Sequence, residues 1–202
     1  MRDAFFELVA YPVRGAALAN ERYFATESYA AVHQTDSVAA GADYTRSVPV
    51  EGVAWKEIPG IGRWGNAVAL FPTTAASIDS SHLATLAPRL EFAFQATTTA
   101  NALIIVQLLP TQSLVNGRPW RIAVAIDDEA PRMVSTSAPV DSRAWSQAVL
   151  SETLSAIVPT SISAGTHVLK VYMVDAGVVL DRIIVDLGGL TPSFLGPPET
   201  RR

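Results

Sequence analysis

The sequence predicts an all-β fold, an antiparallel β-sandwich of the jelly-roll kind, preceded by an N-terminal α-helix. Three observations carry this. Beyond residue 45, short apolar runs alternate at period two, the pattern of strands with one face buried. Turn residues separate those runs, among them Asn116–Gly117 and Asp175–Gly177. The first 23 residues instead space Phe5, Leu8 and Val9, then Ala16, Ala17 and Leu18, in the helical manner. The expected division is therefore 1–44 as helix and connector, and 45–202 as the sandwich.

Asp3 can cap the helix, and Pro12 should kink or split it by removing a hydrogen bond and clashing one turn back. A lone helix this short is marginal in water. Its apolar face must pack on the sandwich or on a second copy, so a homodimer through this helix is one expectation. Residues 25–44, small and polar with Gly41, read as a connector.

The strand pattern begins in earnest at Asn66–Phe71, which alternates before Pro72. Leu90, Phe92 and Phe94 alternate with Glu91, Ala93 and Gln95, a half-buried strand. The run Ala102–Leu109, apolar except for Gln107, reads as a central strand buried on both faces. Asn116–Gly117 gives a hairpin signal. Trp120, Ile122, Val124 and Ile126 then face one way, and Arg121, Ala123, Ala125 and Asp127 the other. The segment Ala144–Ile157 fits a helix or a strand with a loop. Along Thr166–Val174, Leu169, Val171 and Met173 are set against His167, Lys170 and Tyr172, and Val178–Leu187 is expected to return as the partner strand.

Composition narrows the function. At 202 residues there is room for one full domain and an appendage, and a chain of this size buries roughly 70% of its unfolded surface without a metal or disulfide staple. The absence of cysteine excludes thiol chemistry, zinc ribbons and iron–sulfur ligation. With a net charge of −4 and only Lys56 and Lys170 as lysines, there is no basic stripe for nucleic acid. Asp3 stands where a signal peptide wants positive charge, and no run approaches the ~20 apolar residues of a membrane span. No signal peptide and no membrane partner are expected.

For catalysis the residues offer little. His33, His82 and His167 share no metal-ligand spacing and read as loop or strand-surface histidines. There is no serine elbow between glycines and no phosphate cradle. A glycosidase needs two carboxyls roughly 5 to 9.5 Å apart across a cleft. Asp127, Asp128, Glu129, Asp175, Asp181 and Asp186 are available, but carboxylates at turns and strand ends are ordinary. No catalytic residue and no cofactor is assigned. The run Asp127–Glu129 could hold a structural calcium through oxygen ligands, with a solvated turn as the plainer reading.

Binding is the better prospect. Sugar rings present C–H faces that stack on aromatic planes, and arginine or carboxylate side chains bind their hydroxyl and uronate groups. Arg63 beside Trp64, in the loop Gly60–Gly65, has that pairing. The candidate carbohydrate-contacting residues are Arg63, Trp64, Trp55 and Asp175. Trp55 and Trp120 are also natural core plugs, and Trp64 is the more exposed choice.

Three stretches in order carry a family resemblance: Trp55-Lys-Glu-Ile-Pro-Gly-Ile-Gly-Arg63, Gly165-Thr-His-Val-Leu-Lys-Val-Tyr-Met-Val-Asp175 continuing to Ile184, and Gly188-Gly-Leu190 followed by Pro192 to Glu199. Over about residues 45–200 the chain resembles the C-terminal domain of glycoside hydrolase family 115, the xylan α-1,2-glucuronidases. Residues 3–13 with Asn20 are similar to a helix upstream of it. The resemblance implies a galactose-binding or carbohydrate-binding-module-like sandwich that follows a catalytic barrel, in proteins that are usually exported. It further implies a polysaccharide partner such as glucuronoxylan. A (β/α)₈ barrel takes about 250 residues, so the expectation for this chain is an accessory domain in polysaccharide contact or assembly. A carbohydrate-binding module for glucuronoxylan is the alternative, and an active hydrolase the lesser one.

Overall fold

The computed structural model describes residues 37–40, 44–62, 65–114, 117–188 and 190. All belong to the second of two units, Met1–Thr35 and Asp36–Arg202. The expected N-terminal helix lies outside the described residues. Among the described residues the strands are β1 (Ser37–Ala40), β2 (Arg46–Val48), β3 (Ala54–Gly62), β4 (Gly65–Phe71), β5 (Arg89–Ala96), β6 (Ala100–Leu108), β7 (Trp120–Ile126), β8 (Arg132–Thr136), β9 (Leu154–Ile162), β10 (Gly165–Met173) and β11 (Val179–Asp186). Two short helices, α1 (Leu83–Leu86) and α2 (Arg143–Leu150), join them.

One sheet runs β3-β4-β11-β6-β9, with β1 added against β11, and the other runs β2-β5-β10-β7-β8. All of these pairings are antiparallel. Along one edge of β11, β4 takes Val179 and Leu180 while β1 takes Arg182 to Val185. The segment read as connector therefore supplies a strand.

The alternating residues meet between the sheets. Val68, Leu70, Leu90, Phe92, Ile104, Val106, Ile122, Val124, Leu169 and Val171 are buried in one cluster. Trp55 and Trp120 both join it, and each indole N–H finds an acceptor: Trp55 Nε1 donates to Pro88 O (3.3 Å) and Trp120 Nε1 to Thr111 O (2.9 Å). On the outer face of β7 and β10, Ala123, Ala125, Tyr172 and Val174 lie under Leu83 and Ala87. The alanines on β7 are small because a covering segment needs the room.

Several expectations change here. The strand Val178–Leu187 does not pair with β10: β10 sits between β5 and β7, and β11 belongs to the opposite sheet. The turn at Asp175–Gly177 crosses the core. The Asn116–Gly117 signal likewise does not make a hairpin, since β6 and β7 lie in different sheets. Gly60–Gly62, read as part of a loop, completes β3 beyond an irregularity in register. The outward side of β6 is partly open, with Leu103 exposed. The ambiguous 144–157 segment resolves into a helix and then a strand. Ser142 caps α2 by accepting from Trp145 N at 3.0 Å, and Glu152, at φ 52°, breaks the chain into β9. Among the described residues no helix is long and apolar enough to cross a membrane.

Candidate functional site

In an antiparallel sandwich successive connections alternate between the two ends. The segments after β4, β6, β8 and β10 gather at one end, where two hollows adjoin. The first, 380 Å³, is lined by Thr73, Thr74, Ser77, Trp120 and Asp175 among others. The second, 410 Å³, is lined by residues that include Gln112, Arg118, Pro139 and Trp145. Ser113 and Trp120 border both.

Asp175 organises this end. Its carboxylate accepts two bonds from Arg121, Nε at 2.8 Å and Nη2 at 2.6 Å, and a third from Ser77 Oγ at 2.7 Å. Arg118 Nη1 lies 3.8 Å from the same carboxylate and donates to Ser77 Oγ at 3.3 Å. Burial acts to raise the Asp175 pKa, but the bonds from Arg121 and Ser77 outweigh it and hold the group below the usual carboxylate value. An ionised carboxylate so fully bonded is a poor proton donor. It works as a peg that fixes the 72–77 connection, the start of β7 and the 174–178 turn relative to one another.

The rim of the hollows is open to solvent. Arg118 is exposed and held at one nitrogen, so its guanidinium has donors to spare. Trp145, half-buried on α2, walls the second hollow. Threonine and serine hydroxyls and the Gln112 amide complete a set suited to a polyhydroxylated molecule. Gly177 is required behind it: φ is 85°, and a Cβ there would stand 3.0 Å from the Trp120 ring and 2.9 Å from Leu114.

Of the sequence candidates, Asp175 stands in this site as its ionic base. Trp55 is a core residue, 5% exposed with its N–H bonded, and offers no ring face to a ligand. Arg63 and Trp64 lie outside the described residues. The strand ends flanking them, Gly62 and Gly65, pair with each other at the opposite end of the sheet from Asp175. Arg118, Gln112 and Trp145 were not proposed as contacts from sequence. The one available signal was that they fall in connections of the same parity as the Asp175 turn.

A second polar cluster lies at the other end. His167 is in phase with Leu169 and Val171, so it faces inward and is buried, not on the strand surface as expected. Its ring lies 5.6 Å from Phe94, its cross-strand partner. Nδ1 donates to Asp127 Oδ2 at 2.7 Å and Nε2 to Ser163 O at 2.9 Å. The order Asp127–His167–Ser163 superficially suits nucleophile activation, with Ser163 Oγ 3.5 Å from Nε2. However, Nε2 is engaged as a donor to a carbonyl and has no lone pair to take the hydroxyl proton. Asp127 also accepts from Val168 N at 2.8 Å. Each of its carboxylate oxygens thus accepts from a protein donor, and among the described residues there is no cluster of three or more His, Cys, Asp or Glu side chains that could hold a metal ion.

The two-sheet antiparallel sandwich has the fold seen in carbohydrate-binding modules. The fold matches a family 35 carbohydrate binding module from Clostridium thermocellum with a TM-score of 0.50 at 11% identity, over 74% of this chain and 98% of that one. It also matches a family GH115 4-O-methyl-α-glucuronidase with specificity for decorated arabinogalactans, TM-score 0.50 at 19% identity, over 73% of this chain. The chain spans 17% of that enzyme's length. No curated protein matches the sequence. The family model for the glycosyl hydrolase family 115 C-terminal domain matches residues 32–199, and the chain belongs to that family.

Proposed function

We propose that this domain is a non-catalytic accessory sandwich that contacts polysaccharide through the loop-end hollows. The observation that carries the reading is the rim of Arg118, Gln112 and Trp145 over an Asp175 that is ionised, triply bonded and unfit for proton transfer. Such a set binds hydroxyls and stacks on a sugar face without chemistry. Glucuronoxylan is the expected ligand from the family resemblance. Decorated arabinogalactan is the natural competitor, given the specificity of the similar GH115 glucuronidase for decorated arabinogalactans.

Affinity electrophoresis in gels containing either polymer tests this. Retardation of the wild type is expected, with Trp145→Ala and Arg118→Ala each weakening it by about fivefold. Migration unaffected by both polymers would overturn the reading. Assembly through residues 3–23 is the other form of an accessory role, and it rests on the helical spacing there. Light scattering that finds a monomer at high concentration removes it.

A further inference from the structure

At the end opposite the loop-end hollows, a groove of 540 Å³ runs between the free edges of the two sheets. One wall is the β7–β8 turn and the start of β8, with Glu129 and Arg132; the other is the end of β9, with Pro159, Thr160 and Ser161. Asn101, Ala102 and Leu103 of β6 complete the lining. Arg132 reaches across from one sheet to the other, where Nη1 donates to Pro159 O at 2.9 Å. One of its five N–H donors is thereby used, and the guanidinium is held in place with others left for a ligand. Ser161 Oγ bonds Asn101 Oδ1 at 3.1 Å, which leaves the Asn101 NH₂ as a donor fixed in direction.

The walls are tied together by the His167 cluster. Asp127 belongs to the same turn as Glu129, and Ser163 follows Ser161 by two residues. One imidazole bonds both, at 2.7 and 2.9 Å. Lys170 adds a bond to Asp127 O and an ion pair to Asp128 at 3.7 Å. The groove is therefore pre-set and does not have to be formed by its ligand, which lowers the entropic cost of binding.

We propose that this groove is a second saccharide-contacting site, with Arg132, Glu129 and Asn101 bonding hydroxyls of a sugar unit laid over Leu103 and Pro159. A guanidinium, a carboxylate and an amide supply donors and acceptors in the mixture a polyol needs. The exposed Leu103 and Pro159 give an apolar floor in place of an aromatic one. The inference rests on the polysaccharide reading above, and the two can fail separately.

The test repeats the electrophoresis on the full chain, with glucuronoxylan and arabinogalactan as probes. Trp145→Ala, which blunts the loop-end site, is expected to leave residual retardation. Adding Glu129→Gln with Asn101→Ala should weaken that residual retardation by about a further fivefold. Arg132→Ala is the stronger lesion but also frees the β8 and β9 edges from each other, so thermal melts accompany every variant. Residual binding left intact by Glu129→Gln with Asn101→Ala, or complete loss of binding on Trp145→Ala alone, would overturn the second site and leave the first standing. Absence of binding by the wild type would overturn both.

Discussion

His167 shows how much a single residue's parity decides. Counted with Lys170 and Tyr172 it is a surface histidine; counted from Leu169 it points inward, which is where the structure puts it. Between two acceptors both ring nitrogens carry protons, so the charged form is favoured. The bond to Asp127 is the largest cause holding its pKa above the ordinary value, against the opposing pull of burial. For Asp127, burial acts to raise the pKa, but the bonds from His167 and Val168 N outweigh it and leave the pKa lowered. The two groups bound a window of stability. The raised histidine contributes fully below about pH 6.5 and loses its contribution as pH climbs through its folded value. The lowered aspartate contributes fully above about pH 4 and loses it as pH falls through its own. Urea melts should therefore show stability declining from about pH 6 into the alkaline range, and His167→Gln should flatten that decline. An equally steep fall in the variant would refute the assignment.

At the scale of elements, α1 matters more than its four residues suggest. It caps the outer face of β7 and β10 through Leu83, which is 1% exposed over Ala123, Ala125 and Tyr172. Leu83→Ala is expected to cost about 2–4 kcal/mol in urea denaturation; a loss under about 0.5 kcal/mol would mean that the segment is only draped there. Strands with strict alternation were legible from the sequence: β5 and β7 lie where Leu90–Phe94 and Trp120–Ile126 place them, and their inward sets form the core. Sheet membership was not. Turn residues mark where the chain reverses but not which sheet it enters next, so β10 and β11 looked like a hairpin while lying on opposite sides of the core. The helix α2 became clear only from its cap, because eight residues are too few for periodicity to separate a helix from a strand with a loop.

Across the whole molecule the loop-end site was the least legible part. The bond from Ser77 to Asp175 spans 98 positions, and only the completed sandwich brings such distant connections together. Trp145 could be noticed as an aromatic near a loop; its place across from Arg118 could not. The two outer edges of the larger sheet, β3 and β9, each carry a proline, Pro59 and Pro159, which denies a neighbouring chain a main-chain donor. On β9 the exposed Ile157 makes this protection useful. Pro159→Val should raise concentration-dependent aggregation as followed by light scattering, and a variant as soluble as the wild type would show that the edge is guarded by other means. The pairing of β1 with β11 has a practical corollary. Trimming the protein at Thr45 would strip four residues from the flank of its most enclosed strand and leave Arg182–Val185 with raw amides and carbonyls along that side, so any fragment meant to stay in solution must begin ahead of Ser37.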